Sequence, residues 1–267
     1  MAEIIGPLRF KGQMSGMNCY YNKLLKKWII RKNGGPSKSQ IKNSDSCARV
    51  RENDEEMKAC DAWCQQVHYG LEDIDHLNAG YYMGEVVKLA KIIQKMDPIG
   101  LKGKRNVASS KYKSLLTELN FNAQHPFKQV LMRRPEVISD DERQTVIVNL
   151  AQFVPLQELV WKTQFFRYRF TLSITQLSDY IWVEAHRAYE PAHLNLHDWR
   201  KTVYTVWLGR FAGTADISLT ASFKDNEIPA EDTTVLVALG IEFATELMNK
   251  TISWNKGDGT MAIIATL

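Results

Sequence analysis

The sequence predicts an α+β protein: an N-terminal β-hairpin with an extended arm, an antiparallel helix pair, and a C-terminal antiparallel β-sandwich of immunoglobulin-like or jelly-roll type. Three observations predict it. From Arg143 onward, short runs such as TVIVNL, TQFFRYRFTLSIT and TVLVALGIEF are separated by Pro-, Asp- and Gly-containing breaks, the texture of an antiparallel sandwich. Between Asn53 and Met96, apolar residues recur at helical spacing. Before that, two strand-like runs give way to a basic stretch almost free of large apolar groups. The expected divisions are 1–52, 53–138 and 139–267.

Met14–Tyr21 and Lys27–Lys32 read as the two strands of the hairpin, with Trp28 and Ile30 on one face. Two strands alone are marginal in water, so the hairpin needs a surface to lean on. Asn33-Gly34-Gly35-Pro36 breaks regular structure, and Ser37–Ser46 is expected to be an extended arm.

A helix is expected from Asn53. Asn53 and Glu56 make a capping pair, and Asp54, Glu55 and Glu56 load the first turn with favourable charge. Met57, Cys60, Cys64 and Val67 form its stripe, and Gly70 suits its end. A second helix is expected over about Asp75–Met96, stopped by Asp97-Pro98. Gly80 and Gly84 would let the two helices approach closely.

Lys111–Leu119 is a short helix or strand, and Pro126 opens a short helix running to Arg134. In the sheet region Arg167, Arg169 and Thr171 alternate with Phe166, Tyr168 and Phe170, the period of a half-buried strand. Lys256-Gly257-Asp258-Gly259 makes a turn before a last strand, and such a strand is often a sheet edge that invites pairing with another chain.

Composition excludes several classes. The 267 residues are 45% hydrophobic and 24% charged, ordinary for a globular chain. No apolar run approaches the roughly 20 residues of a membrane-spanning helix. MAEIIGPLRFKGQ lacks a basic region followed by an apolar one, so residence in the cytoplasm is expected, with export independent of such a signal left open. Cys19, Cys47, Cys60 and Cys64 have spacings unlike a disulfide scaffold.

Charge is strongly polarised. Residues 9–51 hold eleven Lys or Arg against one Asp or Glu, and residues 52–87 hold one against nine. Residues 88–113 return to eight against one, and residues 139–267 hold eleven against sixteen. Such a chain orients its ends against oppositely charged surfaces, including those of its own neighbours.

No catalytic motif is present: no phosphate-cradling Gly-rich loop, no GxSxG and no CxxC. No enzyme activity and no cofactor are expected. The residues that could ligate a metal are His186, Glu190, His193, His197 and Asp198, with His193 and His197 four apart. Pro191 and the missing HExxH favour instead a surface connection between strands. Cys60, Cys64 and His68 make a second stripe at four-residue spacing, which apolar packing of the thiols explains as well. Asp140-Asp141-Glu142 reads as a solvated loop or cap.

The basic arm is the stronger feature. Lys26, Lys27, Arg31, Lys32, Lys38, Lys42, Arg49 and Arg51 could contact phosphates, with Tyr20, Tyr21 or Trp28 offering a face for base stacking. The same residues could equally dock on an acidic protein surface. Docking between copies of the chain, giving a homo-oligomer or filament, is the first expectation. Nucleic-acid binding is the second, and a metal-dependent protein around His193 and His197 is the third.

Three stretches carry a resemblance. GQMSGMNCYYNKLLKKWIIRKNGGPS leading to ARVRENDEEM resembles the N-terminus of an uncharacterised family of bacterial proteins of the Bacteroidetes group, with a glycine-punctuated hairpin, a basic arm and an Arg-x-x-Asn helix start. KMDPIGLKGKRNV with LTELNFN, and LVALGIEF near the end, are similar too. The resemblance implies that hairpin, arm, helix pair and sandwich belong to one design; it implies no activity.

Overall fold

The N-terminal hairpin does not stand alone. In the computed structural model, which describes residues 2–3, 12–14, 16–23, 25–79, 82–119, 121–160, 164–193, 199–224, 228–247, 250–253 and 257–267, strands β1 (Ala2–Glu3), β2 (Gly12–Met14), β3 (Met17–Asn22) and β4 (Lys27–Lys32) form one antiparallel sheet in the order β1-β4-β3-β2. The expected strand Met14–Tyr21 is split. Met14 pairs with Met17 across a turn in which Gly16 has φ of +75°, a left-handed value that glycine reaches without a steric penalty. The hairpin expected to lack partner strands therefore has one on each side.

The expected extended arm is helical. Helix α1 (Lys38–Asn43) opens with Ser37 Oγ accepting from the Gln40 N–H at 3.2 Å, while Gln40 Oε1 accepts from the Ser37 N–H at 2.7 Å. This reciprocal box satisfies two otherwise orphaned donors and nucleates a helix in a polar segment. A 3₁₀ turn at Asp45–Cys47 then leads into α2 (Ala48–Gly70), which starts before the expected Asn53.

The chain forms two units, residues 1–51 and 52–267. In the larger one, α2 and α3 (Tyr82–Lys95) run antiparallel. Gln94 Nε2 donates to the Glu56 carbonyl at 2.9 Å at one end, and His68 Nδ1 lies 2.9 Å from the Tyr82 hydroxyl at the other. The second helix is shorter than expected, because Glu72–Leu77 forms a 3₁₀ turn whose Asp75 and Asn78 side chains bond to each other and to local backbone, competing with helical bonds. Gly84 faces open space, so it is not where helices meet, and Gly80 lies outside the described residues. The close approach is at Gly70, where a Cβ would stand 2.6 Å from Thr175 Oγ1.

Lys111–Leu119 is neither regular helix nor strand but two 3₁₀ turns, Ser109–Lys111 and Lys113–Glu118. Pro126 caps α4 (Phe127–Val130). The sheet region contains β5 (Glu136–Ser139), β6 (Thr145–Phe153), a short α5 (Pro155–Glu158), β7 (Arg167–Leu177), β8 (Tyr180–Val183), β9 (Ala188–Pro191), β10 (Arg200–Tyr204), β11 (Leu208–Gly209), β12 (Ala215–Ser222), β13 (Thr234–Leu247), β14 (Lys250–Ser253) and β15 (Thr260–Thr266). All pairings among these strands are antiparallel, in the orders β12-β6-β5, β8-β9, and β10-β7-β13-β14, with β11 added to β7 and β15 to β13. The architecture is α+β.

β7 and β13 are the spine. One face, with Tyr168, Phe170, Leu172, Ile174, Val237 and Leu239, shares a core with Val146, Val148, Leu150, Ile217 and Leu219 of β6 and β12. The opposite face, with Leu177, Leu236 and Ala238, packs with Trp63, Val67, Leu89 and Ile93 of the helices. β7 is thus half-buried only at its start. From Thr171 to Leu177 both faces are covered, because the helices lie over its Thr and Ser residues. No described helix is long and apolar enough to cross a membrane.

Candidate functional site

Pairing in the N-terminal sheet distributes its aromatic and basic side chains over two faces. Tyr20 lies opposite Ile29, and Tyr21 opposite Trp28. Neighbouring residues of a strand point to opposite faces. Trp28 and Tyr21 meet edge to face at 5.6 Å, whereas the Arg31 guanidinium lies 5.7 Å over the Tyr20 ring on the other face. The three aromatics named as candidates for base stacking are therefore divided, with Tyr21 and Trp28 together and Tyr20 on the other face. Lys26 occupies the β3–β4 turn in a left-handed conformation, φ 51°, next to Leu25, whose N–H is held by Asn22 Oδ1. Lys26, Lys27, Arg31 and Lys32 are all exposed.

Lys38 and Lys42 project from α1 into solvent, and Arg49 is exposed on the first turn of α2. Arg51 is occupied differently. Its Nη1 donates to the carbonyls of Ile41 at 2.6 Å and Ser44 at 2.9 Å, closing the C-terminal end of α1, where cationic groups are favourable. Among the described residues of this unit only Cys19, Ile29 and Cys47 are buried hydrophobics. The unit presents exposed cations together with exposed Met17, Tyr21, Leu25 and Val50.

A complementary surface lies at one end of the C-terminal sheets. Asp140, Asp141 and Glu142 form the β5–β6 turn, and Glu231 and Asp232 precede β13; all five are exposed. Arg143 joins the two loops. Its Nη1 donates to Thr233 O at 3.2 Å, and its Nη2 donates to Pro229 O and Ala230 O at 2.9 and 2.8 Å. The arginine is spent on carbonyls, Asp140 accepts the Gln144 and Thr145 N–H groups at 2.8 and 3.0 Å, and Asp141, Glu142 and Glu231 stay exposed on the two joined loops. Sequence reasoning missed this end, since the two acidic runs lie far apart in the chain and only Arg143 brings them together.

The histidines divide likewise. His186 Nδ1 pairs with Glu190 at 2.6 Å on the exposed β8–β9 hairpin, and His193 Nε2 pairs with Asp232 at 2.5 Å. His197 and Asp198 lie outside the described residues. His193 also borders a cleft of ≈ 230 Å³ with Gln65, Gln66, Tyr69, Thr175 and Arg200. There Arg200 Nη1 donates to Tyr69 O at 2.5 Å and to Glu72 at 2.9 Å, and Gln66 accepts the Ser178 N–H at 3.1 Å. These polar groups satisfy one another.

Cys60 and Cys64 point into the helix core. Burial pushes their thiols up to about 11 and about 12, and Cys60 Sγ donates to Gln94 Oε1 at 3.4 Å. His68 is engaged with Tyr82 instead. Among the described residues no group of three His, Cys, Asp or Glu side chains is placed to hold a metal ion. No family model, curated protein or solved structure matches the chain.

Proposed function

We propose that the protein is a non-enzymatic assembly component. The basic N-terminal unit of one copy docks on the acidic end of a neighbour's C-terminal sheets, which we read together as a sandwich. Contacts of this head-to-tail kind build rings or filaments. The observation that carries the reading is charge complementarity: Lys26, Lys27, Arg31, Lys32, Lys38 and Lys42 are exposed on one unit, and Asp141, Glu142 and Glu231 are exposed on the two loops that Arg143 joins on the other.

Light scattering of the full chain at low salt tests it. Particles larger than one chain are expected, shrinking as salt screens the contact. A triple reversal, K26E, K27E and K32E, should abolish them, and so should D141K, E142K and E231K. Mixing the two variants should restore assembly, since each supplies the face the other lacks. A wild-type chain that stays monomeric at low salt refutes the proposal.

A polyanion is the second reading, supported by exposed Tyr21 against Trp28 on a strand that begins with Lys27 and ends with Lys32. It predicts a gel shift with single-stranded nucleic acid whose affinity falls steeply with salt. The division of the aromatics over two faces places it behind assembly.

A further inference from the structure

The loop between α3 and the 3₁₀ turn at Ser109 holds two aliphatic side chains out in water. Ile99 is 84% exposed and Leu101 75%. The last turn of α3 and the residue after it add Ile92 and Met96, both exposed. Water exposure of aliphatic side chains is common when they are scattered singly. Four within ten residues, on a loop this firmly built, are not scattered.

The loop is pinned from inside. Asp97 Oδ1 accepts the N–H groups of Ile99 at 3.0 Å and Gly100 at 3.2 Å, and Oδ2 accepts that of Asn106 at 2.7 Å. Those three donors hold the Asp97 carboxyl below its ordinary 3.8 despite partial burial. The Lys104 N–H closes a turn on Leu101 O at 2.8 Å. Beyond it, Gly103 at φ +90° packs on Glu52 and donates its N–H to Glu56 at 2.9 Å. The Tyr112 hydroxyl holds the Met96 carbonyl at 2.9 Å. Ile99 and Leu101 thus sit on the outward side of a fixed frame.

Along this stretch of chain the charge is almost all of one sign, although Lys104 pairs with Glu184 and Arg105 with Glu56. Residues 88–113 hold eight Lys or Arg and a single acid, Asp97, whose charge is spent on backbone N–H groups. Lys88, Lys95, Lys102 and Lys111 are exposed. We propose that this loop is an anchoring tip for an anionic lipid surface: Ile99 and Leu101 enter the boundary between headgroups and acyl chains, and the lysines lie among the headgroups. The chemistry of the tip favours lipid over a protein partner: its most exposed apolar groups are aliphatic, and the exposed charges nearest them in the chain, Lys95 and Lys102, are lysines. Lysines near an anionic membrane each add attraction, and their long stems let the charge reach the headgroups while the tip sits deeper.

Flotation with vesicles tests the tip in the full chain. Vesicles of phosphatidylcholine mixed with phosphatidylglycerol should carry the protein upward at moderate salt, and vesicles of phosphatidylcholine alone should not. The variant I99D/L101D changes two exposed positions and should keep the wild-type circular dichroism while binding the anionic vesicles roughly tenfold or more weakly. K95E/K102E should weaken binding too and make the binding that remains fall less steeply with salt. The basic N-terminal unit also attracts anionic vesicles, so the aliphatic variant is decisive. Undiminished binding by I99D/L101D, or no binding of the wild-type chain to anionic vesicles, overturns the proposal; in the latter case an acidic protein takes the place of lipid.

Discussion

Arg105 grips Glu56 through two parallel hydrogen bonds, Nε to Oε1 and Nη2 to Oε2, both 2.7 Å. The pair ties the loop after α3 to the first turns of α2, and Glu56 is almost wholly buried. Burial raises its carboxyl, but the Arg105 and Gly103 donors outweigh that and hold it below the ordinary 4.5. Because the folded value is depressed, the stabilisation is present above pH 4.5 and lost as pH falls through the folded value. R105A leaves the carboxylate buried without its partner and should cost about 3 kcal/mol. Urea unfolding at neutral pH measures the loss, which should shrink on acidification.

Gly70 marks where α2 meets the central sheet. A methyl there would stand 2.6 and 2.7 Å from Thr175 Oγ1 and Cγ2, so G70A should destabilise by about 1–3 kcal/mol. The double variant G70A/T175A should recover part of that loss, since the obstructing atoms are gone. A thermodynamic cycle of the four proteins checks the coupling.

Glu242 is buried on β13 and accepts from Arg169 Nη2 at 2.8 Å and from Thr171 Oγ1 at 3.0 Å. Arg169 in turn lies over the rings of Tyr204 and Trp207, at 4.6 and 4.7 Å. Burial raises the Glu242 carboxyl, yet bonds from His76 and Arg169 prevail and lower it. E242Q keeps the shape and removes the charge, with an expected loss of about 2 kcal/mol at neutral pH. The variant should also flatten the fall in stability below pH 4.5, and near-ultraviolet circular dichroism should register a loosened Trp207.

All four cysteines are buried and free. With Cys60 and Cys64 held to about 11 and about 12 by burial, neither forms thiolate near neutrality, and thiolate is the reacting form. Labelling of these two thiols at neutral pH should proceed at the rate at which residues 52–267 open, and should accelerate in R105A. Fast labelling in the native wild-type protein would contradict the packing of the helix core.

Local chemistry made much of this legible in advance. The helix stripe Met57, Cys60, Cys64, Val67 needs only the 3.6-residue period, and the strands after Arg143 need only alternation and turn residues. What misled the reading was local too. The polar stretch after Pro36 has the composition of an arm, but Ser37 and Gln40 cap each other and make it a helix. β7 reads as a half-buried strand because Arg167, Arg169 and Thr171 alternate with aromatic residues, and a polar residue such as Thr171 gives no sign that it will be covered. The basic residues of the candidate site were visible as a run, yet their division between two faces follows from register.

The α+β class, the positions of most strands, and the opposition of charge between the front of the chain and its end follow from the order of residues. These depend on neighbours along the chain, where periodicity and composition act directly. Tertiary structure alone decided that the hairpin has flanking strands, that Arg143 gathers two distant acidic loops, and that Asp97 builds a frame for Ile99 and Leu101. The first rests on backbone pairing between strands and the other two on a side chain meeting backbone groups, contacts that folding makes and that no spacing in the sequence encodes.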